Sequence, residues 1–176
     1  LEGKDQVRGW WNSELILSEI RFGKRPVKNI VVHGMVLDLG KKKMSKSLGN
    51  ITSPQEIIEK YGRDYLRYYF AKASKGEDFA FDEKEFSEVQ KALMVLMNVY
   101  TFTSQVELEK SRCCEEDKWI ISKYNSLVKN VKEHYDSFKF SEVVQELENF
   151  LIFDLSRTYI KIIRERSGET YKVLNE

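Results

Sequence analysis

The run Asn29-Ile30-Val31-Val32-His33-Gly34-Met35-Val36-Leu37 is short, β-branched and almost continuously apolar. A half-exposed strand alternates apolar and polar residues; a strand covered on both faces of a parallel sheet does not need to. The run therefore predicts a buried parallel strand. Ahead of it, Asp5 to Arg21 reads as a helix with an apolar stripe of Trp11, Leu15 and Ile20. Gly23 is placed to stop that helix and Pro26 lies just beyond. A helix, a Gly-Pro break and a buried strand together suggest the tail end of a βαβ unit.

From Asp38 to Thr52 the chain turns polar, lysine-rich and glycine-punctuated, the pattern of a mobile loop. Ser53, Pro54 and Glu56 then occupy the N-cap, first and third positions of a predicted helix. Gly62 interrupts it after Tyr61, a short helix follows from about Asp64 to Ala73, and 74–82 reads as a linker. The remainder carries three helical stripes. Phe86, Val89, Leu93, Leu96 and Tyr100 form the first, opened by a capping box at Asp82-Glu83-Lys84-Glu85. Ile120, Tyr124, Leu127, Val131 and Tyr135 form the second; Val144, Leu147, Leu151, Leu155 and Ile162 form the third. The expected fold class is α/β followed by all-α: residues 1–80 as the sheet-bearing domain, then 81–176 as a partial antiparallel helix bundle.

Composition narrows the functional classes. Apolar residues are 41% and charged residues 32% of the chain, which suits a globular protein. No stretch approaches the roughly 20 apolar residues of a membrane span, and no charged-then-apolar leader suggests secretion. The two cysteines, Cys113 and Cys114, are adjacent, a poor arrangement for a disulfide framework or a metal site, so no metal site is expected. Free thiols fit a reducing cytoplasm. A net charge of +1 carries no general affinity for nucleic acid, so any such site must come from local clustering.

Chemistry concentrates at Lys43-Met44-Ser45-Lys46-Ser47. By amino-acid frequencies this pentapeptide arises by chance in such a chain on the order of once in ten thousand times. It places two ammonium groups and two hydroxyls on a loop at the exit of a parallel strand, the edge at which open α/β sheets bind nucleotides. A cationic loop there can close over a triphosphate and neutralise charge on departing pyrophosphate. The competing reading is a solvated lysine turn extended by Lys41 and Lys42.

These residues resemble the second signature of class I aminoacyl-tRNA synthetases. Leu1-Glu2-Gly3-Lys4-Asp5-Gln6-Val7-Arg8-Gly9-Trp10-Trp11 is similar to the adenylate-binding segment of the isoleucyl members, with Trp11 where phenylalanine is expected. His33-Gly34 resembles the adenosine-contacting end of the last core strand, and Tyr61 to Tyr69 the segment leading out of the catalytic domain. Asp117-Lys118-Trp119 and Asp154-Leu155-Ser156-Arg157-Thr158-Tyr159 resemble landmarks of the family's anticodon-binding domain, the latter in its archaeal or eukaryotic form.

The resemblance implies the second half of a Rossmann-type catalytic domain with its KMSKS loop, then the start of an anticodon-binding helical domain. It implies activation of isoleucine with ATP and Mg2+, and transfer to tRNA(Ile), in the cytoplasm. Lys46 and Lys43 would act on the phosphates. Glu2, Gly3, Asp5, Gln6, His33 and Gly34 would hold the adenylate, and Trp10 would line the amino-acid pocket. Read without it, Glu2 and Asp5 are acids favoured near a helix N-terminus, and His33 is a strand histidine with a satisfied partner. Arg157, Lys161, Arg164 and Arg166 make a basic cluster that could meet tRNA phosphates or pair with Asp154. The family also needs a His-x-Gly-His-type signature. Neither His33 nor His134 supplies it, so the chain reads as half an active site, missing the N-terminal half of the same enzyme. The alternatives are a non-catalytic tRNA-binding relative, a valyl, leucyl or methionyl enzyme, or another adenylyl-transferring enzyme with a similar loop.

Overall fold

The computed structural model describes residues 1–104 and 114–164. They divide into two compact units: Leu1–Lys60 with Ala73–Asp82, and Tyr61–Lys72 with the chain from Glu83 onward.

In the first unit, strand β1 (Glu2–Gly3) leads into a 3-10 turn, Lys4–Arg8, and helix α1 (Trp10–Phe22). The Gln6 side-chain oxygen accepts from Trp10 N at 3.3 Å, satisfying one of the free amides at the helix start. Gly23 ends the helix in the left-handed region, φ 62°, and its amide donates to Glu19 O at 2.9 Å. The expected helix over Asp5–Arg21 is thus a 3-10 turn and an α-helix broken at Gly9. Its expected apolar stripe is not a core face: α1 buries none of its residues, and Leu15, Ile16, Leu17 and Ile20 are exposed.

The run 29–37 is also broken. It forms two short strands, β2 (Val32–His33) and β3 (Val36–Leu37), which belong to different two-stranded sheets. β2 pairs in parallel with β1, and β3 pairs in parallel with β4 (Phe79–Ala80). The expectation of parallel pairing holds; that of one strand buried on both faces does not, because among the described residues the run is split between two two-stranded sheets and His33 is exposed. β4 lies inside the stretch expected to be a linker. Helix α2 (Pro54–Tyr61) starts at the proline and buries Ile57.

In the second unit, α3 (Arg63–Ala73) follows Gly62, whose φ of 100° breaks the helical path. A 3-10 turn, Glu83–Glu85, opens α4 (Phe86–Ser104), followed by α5 (Glu115–Asp136) and α6 (Phe140–Asn149). The path then continues as a π-helix, Phe150–Tyr159, and α7 (Ile160–Arg164). Phe86 is fully buried and stacks on both Tyr69, centroids 4.7 Å apart, and Tyr61, at 5.0 Å. Lys72 pairs with Glu148 at 2.9 Å, tying α3 to α6; Tyr68 donates to the same carboxylate at 3.1 Å, and burial, then Glu148, raises the phenol above its ordinary pKa.

A second core joins Ile120, Tyr159 and Ile163, with Phe102, Trp119, Phe150 and Leu155 packed against it. The third sequence stripe is displaced here. Ile162 is exposed, while Tyr159, Ile160 and Ile163 are buried. A π-helix adds residues to each turn, so a face counted at 3.6 residues per turn falls out of register beyond Phe150.

The lysine loop and its neighbouring strand pairs

The β1–β2 register sets Glu2 opposite Val32 and Gly3 opposite His33. Two stretches far apart in sequence, both expected to hold one ligand, therefore lie side by side. Gly3 is buried, and a side chain there would meet Asp5 Oδ1 at 2.6 Å and His33 Cε1 at 3.6 Å. Asp5 accepts from Gln6 Nε2 at 3.1 Å. Gln6 is bonded at both ends of its amide, to Asp5 and to the start of α1, and its oxygen keeps a second lone pair. His33 Nδ1 lies 2.8 Å from Gly34 O, so the imidazole edge is exposed with one nitrogen engaged by its neighbour's carbonyl.

Gly34 sits between β2 and β3, where the chain passes from one strand pair to the other. A Cβ there would fall 1.9 Å from Glu77 O and 2.5 Å from Asp78 N, so only glycine fits beneath that backbone. Asp78 fastens the crossing: Oδ2 pairs with Lys4 Nζ at 2.5 Å and Oδ1 accepts from Met35 N at 2.8 Å. These two donors, Lys4 first, hold its carboxyl below the usual carboxylate range.

β3 runs directly into the lysine-rich loop, which has a defined hydrogen-bonded shape. Leu37 and Lys43 form an antiparallel bridge, and Asp38 N donates to Lys42 O at 2.9 Å. Asp38 Oδ1 accepts from Lys42 N at 2.8 Å and Oδ2 from Asn50 Nδ2 at 2.7 Å. Asn50 Oδ1 accepts from Ser45 N at 2.9 Å. The Ser45 and Ser47 hydroxyls lie 2.8 Å apart, and Lys46–Leu48 is a 3-10 turn closed by Gly49 at φ 65°. Met44 and Ser45 are half-buried, whereas Lys43, Lys46 and Ser47 are exposed. Neither Lys43 nor Lys46 makes an ion pair among the described residues. Asp38 and Asn50 were missed by sequence reasoning. Their pairing spans the loop and leaves no local periodic signal.

Trp10 is 68% exposed and lines a recess of about 340 Å³ with Leu1, Glu2, Trp11 and Glu14. Trp11, expected to be a core residue, is half-buried, and its indole N–H is buried without a hydrogen-bond partner among the described residues. It also lines a second recess of about 410 Å³ with Leu15, Pro26, Val27 and Ile30 among others.

In the second unit Arg157, Lys161 and Arg164 are all exposed. Arg157 lies 5.1 Å over the Phe153 ring and Arg164 lies 5.0 Å over the Phe102 ring, contacts that orient a guanidinium without neutralising it. Asp154 pairs with Lys123 at 3.4 Å, so the ion pair considered from sequence goes to another helix. Arg166 and Cys113 lie outside the described residues; Cys114 is exposed. Among the described residues no helix is long and apolar enough to cross a membrane.

Residues 1–82 match the model of the tRNA synthetases class I (I, L, M and V), and residues 117–176 match that of the anticodon-binding domain of tRNA ligase. The isoleucine–tRNA ligases of Methanothermobacter marburgensis and Methanosarcina barkeri are each 40% identical to this chain over 94% of its length. The chain spans only 17% of either relative. Among solved structures, Mycobacterium tuberculosis methionyl-tRNA synthetase bound by methionyl-adenylate is similar in fold, with a TM-score of 0.70 at 21% identity. That alignment covers 96% of this chain and 35% of the other.

Proposed function

Residues 1–82 belong to the class I tRNA synthetases and residues 117–176 to the anticodon-binding domain of tRNA ligases, and from that premise we propose that the full-length protein is an isoleucine–tRNA ligase. It activates isoleucine with Mg-ATP to isoleucyl-adenylate and pyrophosphate, then transfers the acyl group to tRNA(Ile). Such an activity belongs in the cytoplasm, and its Mg2+ arrives with the nucleotide. The observation that carries the reading is the parallel pairing of Glu2–Gly3 with Val32–His33. It supports one ligand-binding edge built from both stretches, on a strand path that continues into the lysine loop.

Within that edge Glu2, Gly3, Asp5 and Gln6 hold the adenylate by accepting from its amino and ribose groups, with His33 and the backbone of Gly34 beside the nucleotide. Lys46, assisted by Lys43, meets the phosphates. Both ammonium groups are exposed, and fixed cations aimed at departing pyrophosphate stabilise the charge that develops there. Ser45 and Ser47 shape the loop, and Met44 anchors it. The rest of catalysis is positioning. Trp10 borders the amino-acid pocket. The helices of the second unit form an antiparallel bundle that reads the anticodon end of the tRNA, with Arg157, Lys161 and Arg164 toward its phosphates. The chain by itself is inactive, since its half-site lacks the histidine signature.

The test is amino-acid-dependent ATP–pyrophosphate exchange by the full-length protein with isoleucine, valine, leucine and methionine in turn. The reading requires isoleucine to give the highest kcat/KM. Exchange driven best by another of the four overturns the isoleucyl assignment, and exchange with none overturns the ligase itself.

A further inference from the structure

Asn50 lies beyond the lysine signature, yet its carboxamide is bonded to three parts of that loop. Nδ2 donates to Asp38 Oδ2 at 2.7 Å and reaches Lys43 O at 3.4 Å, while Oδ1 accepts from Ser45 N at 2.9 Å. The two backbone contacts fall on either side of Met44, at the carbonyl of one signature residue and the amide of another. Asp38, at the exit of β3, takes the remaining bond and also accepts from Lys42 N at 2.8 Å. Both side chains are half-buried, while the lysines they surround are exposed.

Resting on the synthetase reading of the loop, we propose that Asn50, together with Asp38, is a positioning residue for Lys46. A lysine is a flexible point charge, so its backbone must already be placed if its ammonium is to meet a phosphate without first ordering the loop. Asn50 supplies that order because its amide offers a donor at one end and an acceptor at the other. The donor closes the loop on a fixed acid at the strand exit. The acceptor holds Ser45, from which Lys46 and the following 3-10 turn continue, with Leu48 N donating back to Ser45 O at 3.2 Å. Aspartate at position 50 would set a second carboxylate against Asp38, and alanine would release all three contacts.

The pair permits a reciprocal test in the full-length protein. Isoleucine-dependent pyrophosphate exchange is measured for Asn50→Ala, Asn50→Asp, and Asn50→Asp combined with Asp38→Asn. The combined variant exchanges donor and acceptor. Its carboxamide stands at the strand exit, where the oxygen can still accept from Lys42 N and the nitrogen can donate across the loop. Its carboxylate, now on the far side of the loop, receives that bond and still accepts from Ser45 N. Each single variant should lower kcat about 10–100-fold, the loss expected from a misplaced catalytic group, with the isoleucine KM unchanged. The combined variant should recover most of that loss. Asn50→Ala exchanging at the unmodified rate overturns the proposal, as does a combined variant no faster than Asn50→Asp. Lys46→Ala is run alongside. If it leaves exchange intact, the lysine-loop reading itself fails; if it slows exchange while Asn50→Ala does not, only the positioning role fails.

Discussion

Tyr159 donates its phenolic hydrogen to Asp117 Oδ1 over 2.9 Å, with both residues buried. Asp117 Oδ2 accepts from Cys114 N at 2.7 Å, so the same carboxylate caps the start of α5 and pins the end of the π-helix to it. The two stretches singled out by sequence in the helical part, Asp117-Lys118-Trp119 and Asp154 to Tyr159, thus meet at one bond.

Removing that bond should destabilise the second unit. Tyr159→Phe keeps the ring in its core but takes a donor from a buried carboxylate, at a cost of about 1–3 kcal/mol. Trp119 packs against the same cluster, so in a background with Trp10 and Trp11 replaced by phenylalanine its fluorescence reports the loss as an earlier denaturation midpoint. An unchanged midpoint would mean the bond contributes nothing net.

A methyl group at residue 34 should disrupt the first unit. In Gly34→Ala the added Cβ would overlap Glu77 O at 1.9 Å, and relieving it must push the start of β4 away, with a typical overpacking cost of about 1–3 kcal/mol. Phe79 N donates to Met35 O at 3.1 Å and Phe81 N to Leu37 O at 2.8 Å. Hydrogen exchange at those two amides should accelerate while amides of α5 keep their protection. Equal protection in variant and parent would contradict the close approach.

Punctuation was legible in the sequence; partners distant along the chain were not. The apolar stripes marked core only in part, since Leu96, Tyr100, Tyr124, Tyr135 and Leu147 are exposed. Gly23, Pro54 and Gly62 act where their backbone chemistry predicts. β4 went unseen because Phe79–Ala80 is too short to show a period, and its pairing with Val36–Leu37 depends on Gly34 leaving room for Glu77. The stripe of α1 promised a buried face that the described chain does not cover. The π-helix moved burial from Ile162 to Ile163, a change of period that no count of apolar residues foretold. At the candidate site composition alone reads as a solvated turn, and the lysines stood out by the Lys43–Ser47 motif and its family resemblance. The Asp38–Asn50 bond did not, since it joins residues across a loop with no repeating pattern.

The Asp38 clamp should loosen as acid protonates its carboxylate. Bonds from Asn50 first, then from the Lys42 amide, hold the Asp38 carboxyl below its ordinary value of 3.8. A group depressed in the folded state contributes stability above its unfolded pKa and loses it only as pH falls through the lower, folded pKa. The side-chain carboxyl resonance of Asp38 should therefore titrate below 3.8, and it should return toward that value in Asn50→Ala. A titration at or above 3.8 in the unsubstituted chain would contradict the clamp.

The exposed loop after β3 is proposed to act on ATP phosphates, and Lys46 reports on that most directly. In the full-length protein, Lys46→Ala should slow isoleucine-dependent ATP–pyrophosphate exchange by roughly 10²–10³-fold, the usual loss for one electrostatic group acting on transition-state charge. The isoleucine KM should stay where it was if, as proposed, the ammonium meets phosphate and not the amino acid. A variant with a normal exchange rate and only an altered isoleucine KM would remove Lys46 from the phosphates.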